Sequence, residues 1–341
     1  MNIMTPIQSN FIQRIKQLSQ GHPVFLLSMA NGDQCVIKAD GANRTAHLSA
    51  PIEIMNAVDP HAPSRVLSKT EMLGIRGWVM GHAADLEEQP GYLMSELASG
   101  LRPPLPGQGP QYSKVFIVME AKAQLTDLQA EGLKGLGQDG DGNITVRDKS
   151  GVKSLQQVFK QPGVLEKLGE VLAVDAFNGN QDRINFEGAG KPWPGAGSLK
   201  CIQNPGNIFI GEGGGRLTVL GLDVFDPTNQ FKDMNNFPEP DFAYPGRILR
   251  ADAAARRVKL AQDVVADFET ILGPRNRTFA FQKQTRMPTD ACPRIVRGME
   301  SGGTKILNFL KQKFAGGGLG LGVVKRVDAC GWLSKANFPR L

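Results

Sequence analysis

From Val24 to Lys38 the chain reads Val-Phe-Leu-Leu-Ser-Met-Ala-Asn-Gly-Asp-Gln-Cys-Val-Ile-Lys, two apolar stretches either side of Asn31-Gly32. Asn-Gly takes up positive φ at little cost, so the segment is expected to be a β-hairpin with Lys38 ending its second strand. Ahead of it, a polar lead into a short amphipathic helix is expected over about Asn10 to Leu18. Ser49 is expected to cap a helix whose apolar positions Ile52, Ile54, Met55 and Val58 lead to Asp59-Pro60. Residues 60–112 read as proline-rich loops, and Val115-Phe-Ile-Val-Met119 follows as a strong apolar strand closed by Glu120.

Beyond about Leu125 the period changes. Helical spacing runs through 152–178, with Val164, Leu165, Leu168, Val171, Leu172, Val174 and Ala176, and again through 253–273. Between them lie two short strands, Asn207-Ile-Phe-Ile210 and Leu217-Thr-Val-Leu-Gly-Leu222, joined by the turn Gly211-Glu-Gly-Gly-Gly215. The glycine-rich stretch 316–322 is expected to be mobile. The expected fold is α+β and two-lobed. Residues 1–120 form an N-lobe of antiparallel sheet with one main helix, and residues 121–341 form a mainly helical C-lobe with a flexible tail.

Length and composition agree with this plan. A chain of 341 residues with 41% hydrophobic positions can bury a core in two lobes, and 40 glycines and 22 prolines supply many turns. The formal charge of +6 suits an anionic ligand such as a nucleotide. With 7% aromatic residues and no basic stripe interleaved with them, nucleic acid is not expected as a partner. Cys35, Cys201, Cys292 and Cys330 are far apart and form no Cys-x-x-Cys pair, which argues against a zinc ribbon and for reduced thiols. His22, His47, His61 and His82 show no metal-ligand spacing. No apolar run is long enough to span a bilayer and the first twenty residues lack a signal-peptide core. The expected location is therefore the cytoplasm, or a host cell reached without such a signal.

Phosphoryl transfer needs few protein parts: a cation on the nucleotide phosphates, oxygen ligands for Mg²⁺, and a carboxylate near the acceptor hydroxyl. Candidates occur in that order. Lys38 ends a strand as Val-Ile-Lys, and Glu53, in the next helix, is placed to hold it, with Glu71 as a rival. The segment Ala173-Val-Asp-Ala-Phe-Asn-Gly-Asn-Gln-Asp-Arg183 leaves an apolar helix for a polar loop and brings Asp182. Asn207 stands just before one strand of the later hairpin and Asp223 just after its partner, at the same sheet end.

Asn180-Gln-Asp-Arg183 resembles the Asn-x-Asp-Arg catalytic loop of the atypical protein-kinase-like superfamily. That group includes type II phosphatidylinositol 4-kinases, phosphatidylinositol 3-/4-kinase-like enzymes, HipA-type kinases and the actin-fragmin kinase catalytic domain. The approach Val174-Asp175-Ala-Phe-Asn178 and the strand Asn-Ile-Phe-Ile suit the actin-fragmin group best. The resemblance covers roughly residues 24–230 and is densest over 173–226. It implies a two-lobed protein-kinase-like fold. Asp182 takes the place of the catalytic aspartate, Asn207 and Asp223 those of the metal ligands, Lys38 that of the phosphate-binding lysine, and Glu53 that of its partner. Met119, Glu120 and Ala121 resemble the hinge that meets adenine through backbone groups. ATP and Mg²⁺ are the implied cofactors and a protein hydroxyl the implied acceptor, actin-like proteins included, in the manner of a bacterial effector acting on a host protein. The chain differs from the pattern in three places. It lacks a Gly-x-Gly-x-x-Gly loop, carries an insertion over 188–203, and follows Asp223 with Val-Phe-Asp-Pro.

Other functions on the same frame are a phosphoinositide kinase, a nucleotidyl transferase delivering AMP, and a pseudokinase that only binds. Arg286, Arg294 and Arg297 give the lipid reading a mild hint. Residues 137–148 mimic a calcium loop, with Asp139, Asp141 and Gly142 in phase. Gly137 replaces its first ligand and Asp148 its last, so a polar surface turn is the expectation. Asp175 is expected to be a partly buried, structural Asp that hydrogen-bonds the backbone of the loop after it.

Overall fold

The structure, a computed structural model, describes residues 3–18, 24–41, 45–82, 114–122, 126–127, 137–138, 144–148, 151–180, 183–185, 199–222, 245–271, 287–316 and 321–339. It is α+β: a five-stranded antiparallel sheet with helices at the front and a mainly helical rear. The chain packs as two units. One comprises residues Met1–Asn56 and Ala62–Ala121; the other comprises Ala57–His61 and Lys122–Leu341.

In the first unit the strands are β1 (Ile12–Gln17), β2 (Val24–Met29), β3 (Gln34–Gly41), β4 (Ser64–Val66) and β5 (Lys114–Glu120), in the spatial order β1-β2-β3-β5-β4. The β2–β3 hairpin turns at Gly32, whose φ of 83° suits glycine. The turn is tied by Asn31, which accepts from the Asp33 amide and donates to the Asp33 carboxylate. Alternation then divides the sheet into two faces. Ile12, Ile15, Phe25, Leu27, Met29, Cys35, Ile37, Phe116 and Val118 are buried with Ile3, Ile7 and helix α2 (Lys69–Gly81) in one core. Burial pushes the Cys35 thiol up to about 12, the behaviour of a packed, unreactive cysteine. The other face carries Val24, Leu26, Val36, Lys38, Ile117 and Met119, all half-buried.

Three expectations change here. The segment expected as an amphipathic helix from Asn10 to Leu18 is a short 3-10 turn, Ser9–Phe11, followed by β1. Its helix-like spacing, Ile12 and Ile15 three apart, arises from a register shift between Ile12 and Arg14 that returns both side chains to one face. Helix α1 spans Thr45–Val58, so Ser49 lies inside it and is no cap. Within the stretch read as loop, β4 and α2 are present; residues 83–113 lie outside the described residues. Helix α2 had a legible start. Ser68 accepts from the Glu71 amide and Glu71 accepts from the Ser68 amide, a reciprocal cap written in the sequence as Ser-x-x-Glu.

The second unit contains β6 (Thr126–Asp127), β7 (Gly137–Gln138), β8 (Ile144–Asp148), β9 (Gly151–Ser154), α3 (Leu155–Lys160), α4 (Val164–Asn178), β10 (Phe209–Gly213) and β11 (Arg216–Leu220). Helices α5 (Gly246–Leu249), α6 (Ala254–Ile271), α7 (Ala291–Gly316) and α8 (Leu321–Ala329) complete it. Helix α4 is buried nearly all round, and its charged residues Glu166, Lys167, Glu170 and Asp175 are all ion-paired. It crosses α7 closely because glycines remove the obstacle: a Cβ on Gly298 would lie 2.0 Å from the Glu166 carbonyl, and one on Gly169 2.1 Å from that of Ile295. Residues 137–138, 144–148 and 151–154 supply the three strands of a small antiparallel sheet, β7-β8-β9. Residues 139–143 are outside the described residues.

The stretch expected to be mobile is helical at both described ends, since Gly316 closes α7 and Leu321 opens α8. The chain after α8 is held by aromatic packing. Phe338 is fully buried and meets Phe314 edge-on, and Trp332 stacks on Phe177 of α4 at 5.9 Å. These contacts offset the entropy of ordering a terminal segment.

Glu71 makes the first unit sensitive to acid. It is buried, accepts from the Ile7 amide at 2.7 Å, and pairs with Arg65 at 2.6 Å. Burial pushes its carboxyl up, but Arg65 and the Ile7 and Ser68 amides together outweigh burial and hold it at about 2 rather than 4.5. A group lowered in this way stabilises the fold fully above the unfolded value and loses that contribution as pH falls from about 4.5 towards 2, on the order of 3 kcal/mol. Glu71→Gln is expected to lower stability at pH 7, with the gap from the parent closing across that window. Urea unfolding at stepped pH checks it, and a gap constant from pH 7 to 2 contradicts it.

Candidate functional site

Lys38 lies within β3, paired in register with Val24 of β2 and Ile117 of β5, and does not end the strand as expected, because pairing with β5 continues to Gly41. The pleat puts it on the half-buried face shared with Val24, Val36, Ile117 and Met119. Such a surface offers apolar area for a flat ring and a positive charge for phosphates. Met119 pairs with Val36 on one side and Ser64 on the other, and the β4 ladder ends there. Glu120 and Ala121 continue half-buried beyond that ladder. Glu53 is on the exposed side of α1, between the buried Ile52 and Ile54. The rival Glu71 is committed to Arg65 and the α2 cap on the core side of the sheet.

In the second unit, α4 ends where Gly179 turns left-handed, at φ 73°, and its amide reaches back to Ala176. Asp175 is fully buried in that last turn. It accepts from the Asn180 side chain at 2.9 Å and from Arg183 at 2.5 Å, while the Asn180 amide donates to its carbonyl. The carboxylate is structural as expected, but it is fully rather than partly buried, and its partners are side chains of the loop, the backbone bond going to its main-chain carbonyl instead.

Arg183 is the centre of the arrangement. Only 1% exposed, it donates through one terminal nitrogen to Asp175, through Nε to the Asn207 carbonyl at 2.6 Å, and through its other terminal nitrogen to the Leu222 carbonyl at 2.5 Å. Thus one guanidinium bonds the end of α4, the residue expected to hold metal, and the residue before Asp223. Asp182 and Asp223 lie outside the described residues; their chain neighbours Arg183 and Leu222 are the described ones. Asn207 closes a 3-10 turn, Pro205–Asn207, which Asn204 caps by accepting from the Gly206 amide at 3.0 Å. It is 8% exposed and sits directly before β10, which pairs with β11 from Phe209↔Leu220 to Gly213↔Arg216.

Two buried acids that sequence reading left without a role hold this assembly. Asp267 of α6 accepts the amides of Lys200, Cys201 and Ile202, at 2.6, 2.8 and 2.8 Å. Ile202 in turn bridges to Ile184, next to Arg183. Asp59 accepts the Gly221 amide at 2.7 Å. A signal existed for Asp267, an acid at the i+3 position from Val264 on the apolar stripe of α6, but none identified its partners.

The donor set suits Mg²⁺ in kind: an amide oxygen from Asn207 and a carboxylate from Asp223 are hard ligands, and Mg²⁺ takes few from protein when phosphates and water supply the rest. Asp175 balances the charge of Arg183, so the guanidinium adds little net repulsion nearby. Among the described residues no group of three or more His, Cys, Asp or Glu is placed to hold a metal ion. Of the three arginines that hinted at a lipid surface, Arg294 is internal and Arg297 is exposed. Arg294 is 4% exposed and consumed by Glu166 and the carbonyls of Phe159 and Gln161, Arg297 is on Glu166, and Arg286 lies outside the described residues.

No protein-family model matches the chain, and no curated protein matches it. Two solved structures with partial likeness are both protein kinases. The Golgi casein kinase is 12% identical with a TM-score of 0.28, covering 89% of this chain and 72% of that one. A MAP kinase from Leishmania major is 11% identical with a TM-score of 0.26, covering 96% and 85%. Likenesses at these scores establish neither family nor fold.

Removing Arg183 leaves a buried carboxylate and two buried carbonyls without their donor. Arg183→Met is expected to cost about 3–5 kcal/mol. The double variant Arg183→Met/Asp175→Leu removes the stranded charge and should recover part of that loss, the carbonyls of Asn207 and Leu222 remaining unsatisfied. Urea unfolding of the three proteins checks this; an Arg183→Met protein as stable as the parent contradicts it.

Proposed function

We propose that this chain is an ATP-dependent phosphotransferase with a two-lobed, protein-kinase-like fold, moving the γ-phosphoryl group of Mg-ATP to a protein hydroxyl. The observation that carries the reading is the triple engagement of Arg183, which ties together the chain segments next to Asp182, Asn207 and Asp223. Asn207 itself and Arg183 and Leu222, the described neighbours of Asp182 and Asp223, thereby share one buried side chain's bonds, which supports the reading.

In this reading the half-buried face of β2, β3 and β5 takes the nucleotide. Adenine meets the backbone of Met119, Glu120 and Ala121, and Lys38 meets the α- and β-phosphates with Glu53 as its partner. Asn207 and Asp223 hold Mg²⁺, which neutralises charge developing on the phosphates. Asp182 accepts the proton of the acceptor hydroxyl as its oxygen bonds to the γ-phosphorus, the bond to the β-phosphate oxygen breaks, and ADP departs. The acceptor is a protein side chain. Of the three arginines behind the lipid alternative, Arg294 is an internal tie, which favours the protein acceptor. No helix among the described residues is long and apolar enough to cross a membrane.

Asp182→Asn keeps size and removes charge. It is expected to reduce phosphoryl transfer by ~10²–10⁴-fold, the usual scale of general-base catalysis, while nucleotide affinity changes little. Asp223→Ala should abolish turnover and weaken Mg-ATP binding. The measurement is transfer of label from γ-labelled ATP to lysate proteins, with calorimetry of Mg-ATP binding alongside. A fully active Asp182→Asn protein removes the catalytic core of the proposal. Transfer from α-labelled ATP instead would reassign the chain as a nucleotidyl transferase, and binding without transfer would make it a pseudokinase.

A further inference from the structure

Asp59 is fully buried and sits in the short run Ala57–His61, which packs with the second unit although the chain on both sides of it packs with the first. One carboxylate oxygen accepts the Gly221 amide at 2.7 Å; the other accepts the His61 amide at 3.3 Å and lies 3.5 Å from the Lys167 ammonium. Lys167 also donates to the Val58 carbonyl at 3.0 Å. It is held in turn by Glu170 at 2.9 Å, which takes Lys305 and Ser301 of α7 as well. His61 lies over the far turn of the β10–β11 hairpin, where a Cβ on Gly214 would meet its ring at 3.2 Å. The run is therefore fixed to α4 on one side and to the hairpin on the other.

A helix stop needs no buried charge. Asp59 follows Val58 at the end of α1, where Pro60 alone ends the helix and an exposed polar residue would serve. A carboxylate removed from water is retained where its oxygens hold specific donors, and the shortest bond here is to Gly221. Gly221 is the first residue after β11 and stands two before Asp223. Arg183 holds the next carbonyl, that of Leu222, so Asp59 and Arg183 grip consecutive residues of the same strand exit, one by its N–H and one by its C=O.

We propose that Asp59 is a positioning residue for the proposed metal ligand Asp223: by accepting the Gly221 amide it fixes the strand exit at Gly221 and Leu222, the described residues just before it in the chain. The inference rests on the phosphotransferase reading. Asp59 acts through the backbone at residue 221 and is assigned no contact with nucleotide or metal. Its partner Lys167 holds the carboxylate in place, and the Glu170 network supports Lys167. Burial pushes the Glu170 carboxyl up, but Lys305 and Lys167 outweigh burial and hold it below the usual range.

The test is a Mg²⁺ titration of ATP turnover by the full chain, with calorimetry of ATP binding in the presence and absence of Mg²⁺. Asp59→Asn presents only one oxygen, so either the Gly221 amide or the side of Lys167 and His61 loses its acceptor. The expected result is roughly a tenfold to hundredfold higher Mg²⁺ requirement, the scale seen when groups behind metal ligands are removed. Turnover should return at saturating Mg²⁺ and metal-free ATP binding should be unchanged. Lys167→Met, which leaves the Gly221 bond in place, should lower the unfolding midpoint with less than a threefold change in Mg²⁺ requirement. If Asp59→Asn does not fold, Asp59→Ser, which keeps a small neutral acceptor, carries the same titration. An unchanged Mg²⁺ requirement in a folded Asp59 variant, or a loss of turnover that tracks the folded fraction and ignores Mg²⁺, overturns the positioning role alone. A parent protein that binds no Mg-ATP overturns the function reading and this inference with it.

Discussion

The guanidinium of Arg183 is a charge enclosed by protein, and its position depends on three segments being present at once. The side chain is planar, so its donors leave in fixed directions, and each direction is met by a different part of the chain: Asp175 in the last turn of α4, the Asn207 carbonyl before β10, and the Leu222 carbonyl after β11. Coulombic attraction to Asp175 offsets the desolvation of both ions only while that geometry is kept. Moving any one segment strands a buried donor or acceptor. Stabilisation and placement are therefore the same interaction, and the segments on either side of the proposed chemistry cannot shift independently.

The first unit divides its labour differently. One face of its sheet is consumed by core, with α2 pressed on it and Glu71 spent on Arg65, Ser68 and Ile7. The other is left half-buried and carries Lys38 within β3. Two glutamates follow Lys38 in the sequence, and burial separates them. Glu71 has every oxygen engaged on the core side, while Glu53 stands on the exposed side of α1.

Much of this was legible in the residues. Alternation around Asn31-Gly32 predicts the β2–β3 hairpin, the apolar run at 115–119 predicts β5, and the glycines of 211–215 predict the β10–β11 turn, where Gly214 and Gly215 have positive φ. Helix α4 announces itself by its spacing. What misled was period without register. Ile12 and Ile15 are three apart, as on a helix, because a shifted strand pair places them on one face. Helix α2 was missed although its capping box is local chemistry, because the proline-rich segment around it reads as loop. The buried acids were out of reach for a different reason. Asp59 and Asp267 are defined by amides 162 and 65–67 residues away, and no window of sequence carries that pairing.

Asp267 has one more effect. Its carboxylate gathers the amides of residues 200–202, while Arg183 and the Ile184↔Ile202 bridge fix the chain where the 188–203 insertion begins. Both roots of that insertion are thus moored by side chains that do not belong to it. The register of Arg183 and Asn207 is thereby set by groups outside the undescribed stretch between residues 185 and 199, and a change confined to that stretch leaves every one of these bonds its donor and its acceptor.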